Sequence, residues 1–173
     1  MNSKKSKIGI LGGSFDPAHK GHLVISKEAV KKFKIKKIIW AITKKNPFKK
    51  KSSLNLSTRI KYCKKIINKT KFIEVKFLEK KIKSNKTINL INFFTKNKKN
   101  EVYFLMGADN LINFHKWHKW KDISKKCTII VFDRYGYKKK SLNSRTYKNL
   151  NNDKLKFINF NKVNISSSQL RKI

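Results

Sequence analysis

The chain has 173 residues, 39% of them hydrophobic and 12% aromatic, which is enough apolar material for one globular domain over residues 1–173. No apolar run approaches the roughly 20 residues of a membrane-spanning helix, and the run after the basic start is too short for a signal peptide, so we expect a cytoplasmic protein without membrane contact. The formal net charge is +36, but only four of the 45 basic residues are arginines and the lysines are spread along the chain, so we expect no specific nucleic-acid partner.

Predicted strands alternate with predicted helices along the whole chain. Short apolar runs predict strands, and apolar residues at helical spacing predict helices, with Ser57 as the expected N-cap of the second helix. The predicted strands cover 7–11, 36–43, 72–78, 101–107, 127–133 and 154–160. The predicted helices include 19–33, the segment after Ser57, 87–96, a short aromatic-rich region before 127, and a helix start in the final residues. The loop 44–57 and the segment 134–153 are expected to be the most mobile parts. This alternation predicts an α/β fold, a Rossmann-like doubly wound parallel sheet in a single domain.

Two cysteines, Cys63 and Cys127, lie far apart in the sequence and show no metal-ligand spacing. In a cytoplasmic protein this pattern favours two reduced and mostly buried thiols.

An unusual stretch, 12–22, follows the first predicted strand. Gly12 and Gly13 are expected to let the backbone turn tightly and to let a ligand approach the main chain. Pro17 fixes the turn, and Asp16 can hold the loop by accepting backbone N–H bonds. The stretch therefore predicts a ligand site where the first strand passes into the first helix.

His19 and His22 lie one helical turn apart at the start of that predicted helix. A helix N-terminus favours anions, so two imidazoles there predict a phosphate site that stabilises charge without nucleophilic chemistry. A zinc site with a third ligand elsewhere and a purely structural role are the alternatives. His115 and His118 repeat the spacing and are interpreted as surface residues.

The residues His19-Lys20-Gly21-His22 resemble the His-x-Gly-His motif of the nucleotidyltransferase superfamily. The C-terminal stretch ISSSQLR, 165–171, resembles the second phosphate motif of that superfamily, with Ser168 in place of the usual threonine. The resemblance implies that His19, His22 and Arg171 are the catalytic residues, acting on the phosphates of a nucleotide.

The stretch 103–123 is similar to the Gly-Ala-Asp … Trp region of the nicotinate-nucleotide adenylyltransferases, and 131–136 continues the match. The resemblance implies that Trp117 stacks on a pyridine ring, although Trp117 could instead fix a short helix to the core. Phe48 stands where that family often has a histidine. The helix that starts near Arg59 matches the family's Arg-x-x-Met helix through that arginine.

This resemblance implies transfer of the adenylyl group of ATP to nicotinate mononucleotide. The implied ATP site comprises Gly12, Gly13, Ser14, Phe15, His19, His22, Gly107, Asp109, Ser167, Ser168 and Arg171. The implied mononucleotide site comprises Ser14, Lys49, Thr87, Trp117 and Arg134. We expect Mg²⁺ held mainly by the ATP phosphates, no metal bound by the protein alone, and a monomer or weak homo-oligomer. Nicotinamide mononucleotide or phosphopantetheine as acceptor, and more remotely a basic nucleic-acid-binding module, are the alternatives.

Overall fold

The computed structural model describes residues 5–45, 52–150 and 153–159. The described strands form one six-stranded, all-parallel sheet in the order β3-β2-β1-β4-β5-β6. These strands are β1 (Ser6–Gly13), β2 (Lys37–Ile42), β3 (Ile73–Lys76), β4 (Asn100–Gly107), β5 (Thr128–Phe132) and β6 (Leu155–Ile158). The described helices are α1 (Lys20–Phe33), α2 (Leu56–Ile67), α3 (Glu79–Ile82), α4 (Thr87–Thr95), α5 (Ala108–Asn113), α6 (Trp120–Lys126), α7 (Lys138–Leu142) and α8 (Arg145–Asn149). A 3₁₀ turn, Phe114–Lys116, follows α5.

The strand order reverses direction between β1 and β4. The chain builds the sheet outward from β1 through β2 to β3, then returns to the centre and builds outward from β4 through β5 to β6. In the centre, Ile10 lies opposite Ile39 on one side and Phe104 on the other. Connections that leave in opposite directions open a crevice at the carboxyl ends of β1 and β4.

Each face of the sheet is covered by its own hydrophobic core. Neighbouring residues alternate between the two cores, since successive side chains of a strand point to opposite faces. Ile10 and Phe104 pack on one face with residues of α4, α5 and α6, whereas Leu11 and Leu105 pack on the other with residues of α1 and α2. Helices on both faces of a parallel sheet confirm the predicted doubly wound α/β fold.

The strands agree with the sequence patterns, whereas three helices and one helix cap differ from them. The N-cap of α2 is Asn55 and not Ser57: Thr58 N–H donates to Asn55 Oδ1 at 2.8 Å, and the Ser57 hydroxyl donates to the same oxygen at 2.8 Å. Helices α3, α7 and α8 have four or five residues each. Such helices are too short to show an apolar period, so hydrophobic periodicity does not predict them.

Helix α1, with 14 residues, is the longest helix that the structure describes. Among the described helices, none combines the length and the apolar character needed to cross a membrane.

Cys63 and Cys127 are both free and buried, as the sequence predicts. Burial raises the pKa of each thiol to about 12, and for Cys63 it outweighs the opposing effect of the nearby Arg59 charge. Both sulfurs therefore remain protonated and weakly nucleophilic at neutral pH.

Candidate active site

A cleft of about 660 Å³ opens at the carboxyl edge of the sheet, where β1 and β4 diverge. Every predicted site residue that the structure describes contributes to its lining. These residues are Gly12, Gly13, Ser14, Phe15, His19, His22, Thr87, Gly107, Asp109, Trp117 and Arg134. The remaining predicted site residues, Lys49, Ser167, Ser168 and Arg171, lie outside the described residues. Residues chosen from four separate stretches of sequence, 12–22, 87, 107–117 and 134, thus converge on one cavity.

Gly12 and Gly13 belong to β1 and do not form the predicted tight turn. They pair with Ala41 and Ile42 of β2, and the backbone first adopts a left-handed conformation at Phe15, with φ of 47°. A Cβ on Gly13 would meet the Phe15 ring at 3.6 Å, which is an ordinary contact. The turn is therefore displaced by two residues, and the protein interior does not require glycine at position 13.

Asp16 holds the loop after β1, as predicted, but its partners are distant in sequence. Its carboxylate accepts the N–H of Ser53 at 2.7 Å and the N–H of Leu54 at 3.0 Å, and the side chain is buried. The Asp16–Pro17 peptide bond is cis. Asp16 therefore connects the loop after β1 to the residues that lead into α2.

His19 and His22 form a reciprocal cap at the start of α1. His19 is the N-cap residue, and its Nδ1 accepts the N–H of Gly21 at 3.1 Å. His22 Nδ1 accepts the N–H of His19 at 3.1 Å, and the two ring centroids are 3.8 Å apart. A neutral imidazole whose Nδ1 accepts a hydrogen bond carries its proton on Nε2. The caps thus assign the same tautomer to both rings, with the proton of each ring on Nε2.

The charge state of His19 follows from its surroundings. Burial, followed by the positive charge of Arg134, lowers the pKa of His19 to about 4. The ring is therefore neutral near pH 7, so it would act on an anion as a hydrogen-bond donor and not as a cation.

Aromatic and polar contacts hold His22 in place. The Phe15 ring centroid lies 4.8 Å from that of His22, and the Trp40 centroid lies 5.9 Å away. The Trp40 indole N–H donates to Ser26 Oγ at 2.9 Å, and that hydroxyl donates to the His22 carbonyl at 2.8 Å. Side chains from β2 and α1 thus fix the position of His22 from within the core.

Asp109 and Arg134 join the first turn of α5 to the loop after β5. Arg134 Nη1 donates to Asp109 Oδ2 at 2.7 Å, with the two side chains 36% and 22% exposed respectively. A Cβ on Gly107 would lie 2.5 Å from Asp109 Oδ1, so this carboxylate position requires glycine at 107. The Tyr137 ring centroid lies 5.6 Å from the Arg134 guanidinium carbon. The cleft wall therefore contains an ion pair formed by the Asp109 carboxylate and the Arg134 guanidinium.

Trp117 lies between the core and the cleft. Its ring packs edge-on against Phe114, with centroids 5.1 Å apart, and against Phe104 at 6.1 Å, yet the residue is only half-buried and lines the cavity. Core packing and ring stacking on a ligand are therefore compatible at this position.

Thr87 and one of the two histidines after α5, His118, lie at the cleft, whereas the other, His115, packs against neighbouring helices. Thr87 begins α4 and lines the cleft. His118 is exposed, as predicted, but it also lines the cleft. His115 is half-buried and not a surface residue, since its N–H donates to Thr146 Oγ1 at 3.0 Å and its ring contacts α5.

Sequence reasoning missed the structural importance of Arg59. The residue is 2% exposed, and its guanidinium donates to the backbone carbonyls of four residues. These are Leu54, Ser14, Thr43 and Lys44. One signal could have revealed it: Arg59 precedes Cys63 by four residues, which places a charged residue on the buried face of α2.

Within the described part of the chain, no group of three or more His, Cys, Asp or Glu side chains could hold a metal ion. A third zinc ligand beside His19 and His22 is therefore missing among these residues.

Comparisons with known proteins agree with this geometry. A family model described as Cytidylyltransferase-like matches residues 10–173. A curated protein of Pelagibacter ubique, "Probable nicotinate-nucleotide adenylyltransferase", is 68% identical over 173 residues, which cover 100% of this chain and 96% of the relative. A protein of the same name from Agrobacterium fabrum is 36% identical over 131 residues, 75% of this chain and 70% of the relative.

Solved structures show the same fold. The nicotinic acid mononucleotide adenylyltransferase of Plasmodium falciparum, complexed with NaAD, superposes with a TM-score of 0.79 at 24% identity, covering 96% of this chain and 83% of that chain. The same enzyme complexed with APC gives a TM-score of 0.77. At this identity the likeness supports the fold, and the sequence relatives establish the family. The chain belongs to the nicotinate-nucleotide adenylyltransferase family, within the Cytidylyltransferase-like group of nucleotidyltransferases.

Proposed function

We propose that this protein transfers the adenylyl group of ATP to nicotinate mononucleotide, releasing nicotinate adenine dinucleotide and pyrophosphate. The names of its relatives support this reaction. The observation that carries it is the pair of reciprocally capped histidines in the cleft, His19 and His22, whose tautomers place an N–H donor at each Nε2. Donors of this kind suit a reaction in which charge shifts among phosphate oxygens.

The reaction requires no nucleophile from the protein. An oxygen of the mononucleotide phosphate forms a bond to the α-phosphorus of ATP, and the bond from that phosphorus to the oxygen bridging to the β-phosphate breaks. Pyrophosphate leaves with the electron pair. The protein contributes by aligning the two substrates and by donating hydrogen bonds to the phosphate oxygens. His19 and His22 are proposed to donate through Nε2–H, with Arg171 assisting as the sequence motif implies.

We propose that the acceptor lies on the side of the cleft formed by Thr87, Trp117 and Arg134. An electron-poor pyridinium ring is attracted to an indole face, and Trp117 is half-buried at the cavity wall. Arg134 supplies a positive charge for the mononucleotide phosphate, although its present partner is Asp109. Lys49 is proposed to contribute to acceptor binding on the strength of the sequence match alone.

Mg²⁺ is proposed as the accompanying ion, held mainly by ATP phosphate oxygens and water. Two carboxylates near the cleft already have partners, since Asp109 binds the Arg134 side chain and Asp133 accepts the Arg134 N–H at 2.7 Å. Because both carboxylates are already paired, the ion would take most of its ligands from the nucleotide and not from the protein. When bound, the ion would neutralise phosphate charge.

The test is to incubate the purified protein with ATP and Mg²⁺ and one acceptor at a time: nicotinate mononucleotide, nicotinamide mononucleotide or phosphopantetheine. Chromatography identifies the dinucleotide product, and a pyrophosphate assay confirms the stoichiometry. We expect nicotinate adenine dinucleotide as the main product. A clear preference for either of the other acceptors would replace the proposed substrate.

A further inference from the structure

The loops that follow β1 and β2 are joined by one buried side chain, Arg59 of α2. Arg59 Nη1 donates to the Ser14 carbonyl at 2.6 Å and to the Thr43 carbonyl at 2.8 Å. Nη2 donates to the Lys44 carbonyl at 3.0 Å, and Nε donates to the Leu54 carbonyl at 3.2 Å. One guanidinium thus binds three separate segments of backbone.

Two of these segments form part of the cleft wall, since Ser14 and Thr43 both line the cavity. Arg59 itself is absent from that lining and is 2% exposed. Its bonds therefore act on residues of the cleft wall, while Arg59 itself does not line the cleft.

The bond to Ser14 sets the orientation of the next peptide unit. In a trans peptide the carbonyl and the following N–H point in opposite directions, so the Ser14 carbonyl on Arg59 turns the Phe15 N–H away from Arg59. Phe15 has a φ of 47°, a conformation that non-glycine residues seldom adopt without support. The Phe15 ring in turn contacts His22. Arg59 is thereby linked to a catalytic candidate through one loop.

The segment after β2 is held from two sides. The Thr43 N–H donates to the Gly13 carbonyl at 2.9 Å, and the Lys44 N–H donates to Glu79 Oε1 at 3.1 Å, while Arg59 binds both carbonyls. Only a planar group with donors in several directions can make these bonds together. Lysine, with one nitrogen, cannot reproduce them.

We propose that Arg59 is a positioning residue for the transfer reaction: without touching substrate, it aligns the loops after β1 and β2 so that Phe15 and His22 meet the phosphates correctly. The inference rests on the proposed function for its catalytic part and on the hydrogen bonds for its structural part. Misplacement of reacting groups by a fraction of an ångström to an ångström lowers rates by up to about 100-fold.

The experiment compares Arg59→Lys with two matched controls. Cys63→Ala removes a buried group from the same face of α2 without affecting the carbonyls, and Arg145→Lys makes the same chemical change at an exposed site. For Arg59→Lys we expect kcat to fall at least 10-fold, with the KM values for both substrates within about threefold of wild type. Cys63→Ala should lower the melting temperature while keeping kcat near wild type, and Arg145→Lys should change neither.

A second readout does not depend on the reaction. Amide exchange followed by NMR should be at least 10-fold faster at Thr43 and Lys44 in Arg59→Lys and unchanged there in Cys63→Ala. Arg59→Gln, which leaves no unpaired buried charge, serves if the lysine variant does not fold.

If Arg59→Lys and Cys63→Ala are both fully folded and have equal kcat values, Arg59 is not a positioning residue. Unchanged amide exchange at Thr43 and Lys44 in Arg59→Lys would overturn the proposal as well. An inactive wild-type protein would instead refute the proposed function, while amide exchange would still decide whether Arg59 holds the two loops.

Discussion

Replacing His22 by asparagine separates the two uses of its imidazole. His22 Nδ1 accepts the His19 N–H at 3.1 Å and completes the cap of α1, whereas its Nε2–H is the proposed donor to phosphate. The asparagine side chain ends near the Nδ1 position, so it can keep the cap but has no atom at Nε2. Glutamine at position 22 reaches the Nε2 position and offers an N–H there, which makes it the matched control.

The two effects differ in size. Loss of one preorganised donor to a developing charge lowers kcat by about 10²- to 10³-fold, or about 2.7–4 kcal/mol. Loss of a helix cap costs about 1 kcal/mol of folding free energy, which lowers the melting temperature by about 2–4 °C in a chain of this length. We therefore expect His22→Asn to lose activity while melting near wild type, and His22→Ala to lose activity and also melt a few degrees lower.

The assay measures initial rates at saturating ATP, mononucleotide and Mg²⁺, with thermal unfolding of each variant recorded in the same buffer. His22→Gln should retain activity within about 10-fold of wild type. Near-normal kcat in His22→Asn would refute the donor role of Nε2. A melting temperature as low as that of His22→Ala would refute the separation of cap and donor.

Three further predictions concern other parts of the molecule. Trp117→Ala should raise the KM for the mononucleotide about 5- to 150-fold and that for ATP much less, as expected for a lost stacking partner; equal changes in both, with the variant still folded, would make Trp117 a core residue only. Folding lowers the pKa of His19 from 6.5 to about 4. Between these two pH values the unfolded chain binds a proton that the folded chain does not, so the free energy of unfolding should fall as the pH falls from 6.5 to 4. Denaturant unfolding of wild type and His19→Asn between pH 7 and 4 checks this. If the free energy of unfolding changed with pH equally in the two proteins, the prediction would be wrong. Binding to duplex DNA should disappear between roughly 50 and 200 mM salt while adenylyl transfer persists, because counterion release drives only the former. DNA binding that survives high salt and prefers one sequence would contradict this reading of the lysine excess.

The sheet could be predicted because its strands are nearly continuous apolar runs, as in 101–107 and 127–133, which form the buried strands β4 and β5. The helices α3, α7 and α8 could not be predicted, since four or five residues contain little more than one helical turn. Helix caps lie between these cases: the sequence predicted a cap close to the start of α2 but at Ser57, whereas the structure has it two residues earlier, at Asn55.

The site was predictable where its residues are neighbours in sequence. The spacing of His19 and His22 placed both rings at one helix end, but their mutual capping depends on rotamers that spacing does not determine. The contact between Asp109 and Arg134 joins the start of α5 to the loop after β5, and these two segments are adjacent only in the folded sheet. The bonds of Arg59 end on backbone carbonyls, and every residue type presents a carbonyl, so nothing in the sequence marks these partners.

The central position of β1 also governs when this site can exist during synthesis. Ser6 of β1 pairs with Asn100 of β4, so more than 90 residues must be made before the innermost strand acquires its second neighbour. At about 5–20 residues per second, the nascent chain spends roughly 5–20 s with that edge of β1 unpaired. Until β4 emerges, the apolar residues Leu11 and Ile10 lack half of their surroundings and the crevice has only one wall. Ribosome-bound chains that end before β4 should therefore be degraded rapidly by added protease, whereas chains extended through β6 should resist it, and early resistance would show that the half-sheet folds by itself.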